Sequence, residues 1–346
     1  MAKKKAESSD EAVLNEMAQV EKSITKAYGA GLLVDAQTVL DEPVMTIPLS
    51  PALNPVLGGG IPEGSWFILT GPPKFGKTTT LLDFCATCQT EQYGERDVYY
   101  LDVEGRLKKM NLTGVKGLRL DKLKIIRSKK GCILSGEAFL DIGLQVLENH
   151  PGSILVIDSV SALCGANEMS KDMSEATMGG TSIAQGRFVR KAANIMPINK
   201  NIIIGITHQN ASLAMFGSPV REKTSNALAY QADVKIKAKK IDAWKVGNKQ
   251  VGQIVTWNVM VSALGPPGGE VQSYLRYGHG IDKMTELIVM ATQLGILSKP
   301  EKQQWYTFEY NGEEKKISGL DGVYQFFNED PSRQQYIQDK INEMLS

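Results

Sequence analysis

The octapeptide Gly71-Pro72-Pro73-Lys74-Phe75-Gly76-Lys77-Thr78 fits the spacing G-x-x-x-x-G-K-[ST]. Backbone N–H groups of such a loop, and of the helix that follows it, surround phosphate oxygens. The lysine neutralises the β and γ phosphates and the last hydroxyl ligates Mg²⁺. Here the cradle runs from Gly71 to Thr79, with Lys77 as the cation and Thr78 as the metal ligand. Asp158 ends the apolar run ILVID and is the natural second anchor for Mg²⁺. Its plainer reading is an acidic strand terminus. Together these residues point to a nucleoside triphosphate with Mg²⁺.

Hydrolysis also needs a group that orients or deprotonates the attacking water. The run LDVE offers Asp102 and Glu104 at the end of the strand after the loop's helix. In a parallel sheet that carboxyl end opens toward the phosphates. Glu104, further into the loop, is the favoured base and Asp102 the alternative. Thr207-His208-Gln209 ends another strand, where His208 could feel the γ-phosphate and pass its presence to the segment that follows. A satisfied, buried histidine is the other reading of that residue.

Apolar strands alternating with helices position these groups. SWFILT (65–70) leads into the loop and a helix follows it. VYYLDVE (98–104), KIIRS (124–128), SILVIDSV (153–160) and NIIIGITH (201–208) read as strands, with helices at 136–149 and around 180–196. This order signals an α/β fold, a mainly parallel sheet covered by helices on both faces. From about Tyr230, DVKIKAKK and QIVTWNVMV alternate as antiparallel strands do. Beyond Ile281 a helix, a WYTFEY strand with an NGEE turn and a terminal helix form a small α+β domain. At the other end, Val13, Met17, Val20, Ile24 and Ala27 share one helix face over 12–28, and Leu32–Val34 reads as a short strand. The expected division is 1–45, 46–280 and 281–346.

The chain has 346 residues, 42% hydrophobic and 22% charged, with 39 basic side chains against 38 acidic. That balance suits a soluble globular protein of about two domains. No apolar stretch is long enough for a membrane span, and MAKKKAESSD has no apolar segment of a secretion signal behind its basic tip. A cytoplasmic protein is expected. Four scattered cysteines and three histidines exclude a disulfide framework and argue against structural zinc. Cys85 and Cys88 lie inside the helix after the loop and read as packing residues. Charge is uneven: Gly105 to Lys130 holds ten Lys/Arg against one Asp, and Arg221 to Lys249 eight against three acids. Such blocks permit a polyanion partner without requiring one, solvated faces being the alternative.

LNPVLGGGIPEGSWFILTGPPKFGKTT, YYLDVEG, ILVIDSVSAL, ITHQ, MFGSP with SNALAY, and YGHGID resemble, in order and spacing, the RecA family of recombinases, including the bacteriophage UvsX-like type. The likeness runs from about Glu16 to the C-terminus. It implies a RecA-like core using ATP and Mg²⁺, with Tyr277 of YGHGID at the nucleotide. EKSITKAYGAGLLV looks like the helix and strand that dock one subunit on the next. The implied partners are single-stranded and double-stranded DNA, further copies of the chain in a helical filament, and single-strand-binding and loader proteins, with no membrane partner. The cell would be bacterial, the gene its own or a phage's. The histidine of ITH, where RecA has Gln, is a UvsX-type mark.

The resemblance further implies two DNA-binding loops. The first runs through 165–182 with Met178 and Gly179, and Arg187 and Arg190 on the next helix reach phosphates. The second runs from Gln209 to Asn226, with Leu213, Met215 and Phe216 as wedges between bases and Asn226 as a backbone contact. Core packing of Met215 and Phe216 stays open. Lys239 and Lys240 match a basic pair used for the incoming duplex, a solvated face being equally open. One departure concerns the subunit interface, where two family cations fall on Val261 and Ala263 and a further lysine on Ala229. Either another cation substitutes, with Lys74 in the loop or Lys223 in the second DNA-binding loop as candidates, or hydrolysis is slow.

The leading expectation is an ATP-dependent recombination protein, a DNA-dependent ATPase that forms filaments on single-stranded DNA and promotes pairing and strand exchange. The alternative is a RecA-like accessory or regulatory module with weak or no ATPase activity. A ring-forming motor with the same core is disfavoured by the N-terminal docking segment and the C-terminal domain.

Overall fold

The computed structural model describes residues 18–172, 180–210, 221–222, 231–300 and 303–345. Its contacts divide the chain into two units, Met1–Met45 and Thr46–Ser346. In the first, residues 18–28 form helix α1 and Ala36–Asp41 helix α2. Val13 and Met17 lie outside the described residues. The strand expected at Leu32–Val34 is not formed: these residues are exposed and lie in the bend between the two helices. A strand is defined by a backbone ladder, and the described residues of this short unit supply no second strand to complete one. Instead Asp35 starts α2, its Oδ1 accepting from Thr38 N at 2.7 Å and Thr38 Oγ1 at 2.8 Å.

In the second unit a ribbon of β1 (Thr46–Ile47) and β2 (Ile61–Pro62) encloses helix α3 (Leu53–Leu57). Among the described residues the main sheet has ten strands. Its parallel part comprises β3 (Trp66–Gly71), β4 (Val98–Asp102), β5 (Leu123–Ile126), β6 (Ile154–Asp158), β7 (Ile202–Asn210) and β9 (Val234–Val246), in the spatial order β5-β4-β6-β7-β3-β9. The two-residue β8 (Arg221–Glu222) pairs with the end of β7. β10 (Lys249–Val261), β11 (Glu270–Arg276) and β12 (Gly280–Ile281) extend the sheet antiparallel from β9. The α/β class and mainly parallel sheet expected from the sequence are present.

The strands are apolar on both faces because both faces are covered. Along β6, Ile154 and Val156 join one buried cluster while Leu155 and Ile157 join the other. The first cluster takes Leu81, Phe84 and Cys85 from α4 (Lys77–Cys88). The second takes Phe139 and Leu144 from α6 (Gly136–Asn149), and Phe188 and Ala192 from α8 (Gly180–Asn199). Period-two side chains buried on both sides are what a parallel sheet between helix layers requires. Cys85 and Cys88 are wholly buried, and burial pushes both thiols up, which fits packing residues. Two one-turn helices, α5 (Lys109–Thr113) and α7 (Ala166–Met169), follow β4 and β6.

β4 ends at Asp102, short of the expected 104. Val103 N–H closes the last rung of the ladder on Asp158 O at 3.0 Å, and Glu104 N–H turns to the same oxygen at 3.5 Å instead of continuing the strand. At the C-terminal end, α9 (Lys283–Gln293), the hairpin β13 (Trp305–Tyr310) and β14 (Glu313–Ser318), and helices α10 (Gly319–Asn328) and α11 (Pro331–Leu345) share a third core around Ile288, Phe308, Phe327 and Ile341. The sequence reading lacks α10. Gly319 and Gly322 weaken its helical signal, and buried Val323 and Phe327 hold it in place.

Glu286, in the first turn of α9, ties this region to the main sheet. It accepts Ala52 N–H at 3.0 Å and Tyr274 N–H at 3.3 Å. Burial outweighs these bonds and pushes its carboxyl up to about 7, from an ordinary 4.5. The folded state therefore holds this proton more tightly than the unfolded chain. The stability it contributes is complete below about pH 4.5 and is lost as pH rises through about 7. The expected loss across that window is about 3 kcal/mol. Urea unfolding at a series of pH values should show it in the wild type, whereas Glu286→Gln, neutral throughout, should lack that part of the slope. Identical slopes would show that Glu286 is ionised in the fold.

Candidate nucleotide site

Parallel register brings the motif residues together. β4 and β6 pair Asp102 with Asp158, and β3 and β7 pair Gly71 with His208. Four strand ends thus open on one side of the sheet, where ligands of such sheets bind. A cavity of about 540 Å³ lies there, lined by residues that include Lys74, Lys77, Thr78, Thr79, Asp102, Glu104, Asp158 and His208.

The loop's glycines have steric reasons. Gly76 sits at φ +75°, and a Cβ there would come within 2.3 Å of Leu275 Cδ1. At Gly71, φ +140°, a Cβ would lie 2.9 Å from Ala238 O. The hydrogen-bond ladder of α4 begins with Thr80 N–H on Gly76 O, so the amides of Lys77, Thr78 and Thr79 precede it and face outward as anion donors. Lys77 Nζ donates to Gly71 O at 2.8 Å and Pro72 O at 2.6 Å, which holds the ammonium at the loop's base. Burial pushes this ammonium down to about 8, opposed by the charges of Asp158 and Glu104. It remains cationic near neutrality. Pro72, Pro73 and Phe75 complete the turn, and Lys74 sits exposed at φ +67°.

The three acids occupy three environments. Asp158 Oδ2 accepts from the Tyr100 hydroxyl and from Thr78 Oγ1, the latter at 3.2 Å. Burial raises its carboxyl despite those bonds. Asp102 turns back on its own loop, accepting from Arg106 N at 3.0 Å and from Leu107 N at 3.4 Å. Glu104 Oε1 accepts from Ser159 Oγ at 2.6 Å and faces His208 Nε2 at 2.9 Å, while Oε2 lies 3.2 Å from Arg106 Nη1. Burial would raise Glu104, but Ser159, His208 and Arg106 together hold it below the usual range. His208 N donates to Ser161 Oγ at 2.9 Å.

Thr78 and Asp158 present adjoining oxygens of the kind Mg²⁺ prefers, and Mg²⁺ takes most of its remaining ligands from phosphates and water. Among the described residues no three His, Cys, Asp or Glu converge on a metal position. The donor set therefore fits an ion that arrives with its nucleotide. Tyr277 is not among the cavity's lining residues; its hydroxyl accepts from Gln250 Nε2 at 2.8 Å. Sequence reasoning missed Tyr100, Ser159, Ser161, Arg106 and Gln253. For Arg106 a signal existed, since it opens the basic block at Gly105–Lys130 directly after Glu104. Tyr100 could have been found by strand alternation, two residues before Asp102.

Of the DNA-binding candidates, Met178, Gly179, Leu213, Met215, Phe216 and Asn226 lie outside the described residues, as do Lys223 and Ala229. Arg187 and Arg190 are exposed on α8. Lys239 pairs with Glu270, and Lys240 with Asp242 at 2.9 Å, so both exposed lysines already have acidic partners. Val261 and Ala263 are exposed at and just beyond the end of β10.

The family model for the RecA N-terminal domain matches residues 15–282. The chain is 29% identical over 327 residues to Protein RecA of Oleidesulfovibrio alaskensis, covering 93% of this chain and 89% of that protein. To Protein RecA of Sulfurimonas denitrificans it is 30% identical over 326 residues, covering 92% and 90%. To that of Paracoccus denitrificans it is 28% identical over 343 residues, covering 99% and 92%. No described helix is long and apolar enough to cross a membrane. A family match over residues 15–282, on a sheet whose strand ends carry the Gly71–Thr78 loop and the carboxylates beside it, places the chain in the RecA family.

Proposed function

We propose that the chain is an ATP-dependent homologous recombination protein that forms helical filaments on single-stranded DNA and promotes pairing and strand exchange with a duplex. One observation carries this reading: Lys77, Thr78, Glu104, Asp158 and His208 border a single cavity in a chain of this family. ATP is the substrate of that cavity. Lys77 and the amides at the start of α4 bind the β and γ phosphates, and Thr78 with Asp158 would hold Mg²⁺, which when bound spreads the phosphate charge. Water's oxygen bonds to the γ-phosphorus as the bond from that phosphorus to the bridging oxygen breaks, and ADP leaves with the electron pair. Glu104 takes the water's proton. Asp102 is unsuited to that task because its carboxylate holds the amides of its own loop. A carboxyl held below its usual range acts chiefly by orienting the water.

His208, between Glu104 and the segment that follows β7, couples the state of the γ-phosphate to DNA binding. Arg187 and Arg190 supply phosphate contacts. Uncharged Val261 and Ala263 favour the second reading, an accessory module with weak or no hydrolysis, and ATP turnover with and without single-stranded DNA separates the two.

Three outcomes follow. Lys77→Ala should weaken ATP binding about 10- to 100-fold, the worth of one charged hydrogen bond, and remove ATP-dependent DNA binding. Unchanged nucleotide-dependent affinity in a filter-binding assay would contradict the site. Glu104→Gln keeps the shape and loses the basicity, so filaments should assemble with ATP and persist, with turnover reduced about 10²- to 10⁴-fold. Turnover at the wild-type rate would remove Glu104 from the mechanism. Replacing Arg187 and Arg190 together by Ala should weaken DNA binding across all sequences and flatten the salt dependence by about one unit of slope each. A salt slope equal to the wild type's would assign both to a solvated face.

A further inference from the structure

Arg106 has no part in the reading above, yet it borders the same cavity as Lys77 and Thr78. Its side chain is 82% exposed, and Nη1 lies 3.2 Å from Glu104 Oε2. Its main chain is fixed, because Arg106 N and Leu107 N both donate to Asp102. An exposed guanidinium is thus anchored at a set point on the cavity rim.

The Arg106–Glu104 pair is easily exchanged. An ion pair this exposed is worth about 0–1 kcal/mol. Glu104 does not depend on it for position, since Oε1 is held by Ser159 at 2.6 Å and His208 at 2.9 Å. A phosphate offers more charge than a carboxylate and accepts the planar fork of a guanidinium in two parallel bonds. Transfer from carboxylate to phosphate therefore costs little and gains more. It also uncovers Oε2, the Glu104 oxygen that neither Ser159 nor His208 engages. Lys74 borders the cavity too, but it has no such coupling to Glu104, and an ammonium is a point charge rather than a fork.

We propose that Arg106 is a catalytic cation acting within its own subunit: it covers Glu104 Oε2 until a nucleoside triphosphate fills the cavity, then exchanges that carboxylate for γ-phosphate oxygens and leaves Oε2 to the attacking water. The inference rests on the ATPase reading of the site. Its test uses the full-length chain with Arg106→Ala, Arg106→Lys, Lys74→Ala and Lys77→Ala. ATP turnover is followed on saturating single-stranded DNA, and fluorescent ATP and ADP analogues report binding. Arg106→Ala should lower kcat about 10²-fold or more, as loss of one transition-state donor does. ADP affinity should stay within about twofold while the preference for ATP over ADP shrinks, because the contact is to the γ-phosphate alone. Arg106→Lys should recover part of kcat, and Lys74→Ala should cost less than Arg106→Ala. Wild-type turnover in Arg106→Ala beside an inactive Lys77→Ala overturns the inference and leaves the ATPase reading standing. Equal loss of ATP and ADP affinity also overturns it, since Arg106 would then serve general nucleotide binding. Wild-type turnover in Lys77→Ala overturns the ATPase reading and this inference with it.

Discussion

Everything at the candidate site depends on the parallel register of four strands. Pairing Gly71 with His208 and Asp102 with Asp158 sets the glycine-rich loop beside the histidine and two carboxylates side by side, before any side chain has chosen a rotamer. A slip of one residue in either pair would turn every side chain of a strand to the opposite face. Both faces are buried under helices, so such a slip would expose or clash with core residues such as Phe67, Trp66, Val156 and Leu155. The packing that stabilises the sheet and the geometry that makes the site are therefore one constraint.

That constraint crowds like charges, and the surroundings sort them. Asp158 is half-buried beneath a tyrosine and a threonine, and its carboxyl is raised. Glu104 reaches further out, gathers donors from Ser159, His208 and Arg106, and stays ionised more readily. Asp102 is taken up by backbone amides of its loop. Carboxylates placed close together take distinct roles when their environments drive their proton affinities apart. The buried Lys77 ammonium, which feels the charges of both Asp158 and Glu104, offsets part of the repulsion between them.

The parts of this arrangement that were legible in the sequence are those written in local pattern. Uninterrupted apolar runs such as ILVID give strands with both faces covered, and the loop spacing fixes where a helix must start. Features set by long-range pairing were hidden. Leu32–Val34 has strand composition but no ladder, so composition misleads there. β4 stops at Asp102 because the Glu104 amide turns back onto Asp158 O, the oxygen of the last rung, more than fifty residues away in the chain. Helix α10 contains glycines and exists through the burial of Val323 and Phe327 against distant elements. The choice between Asp102 and Glu104 could not be made on spacing alone. It turns on which carboxylate the loop amides capture, a fact of tertiary structure.

The site also reaches the segments through which DNA binding is proposed, by a short path. The chain leaves β6 at Asp158 and β7 just past His208, and the first residues beyond β6 bring one donor and one acceptor to the cluster, the hydroxyls of Ser159 and Ser161. Ser159 Oγ holds Glu104, while Ser161 Oγ accepts the N–H of His208, so the two strand exits are bonded to each other and to the proposed base. A change in what Glu104 faces must alter the balance among Ser159, His208 and Arg106, because one carboxylate serves all three. Both exits would feel that change within one or two hydrogen bonds. On the proposed function, coupling between nucleotide state and DNA binding then needs no relay through the core. It requires only that the bonds at Glu104 differ before and after the γ-phosphate leaves.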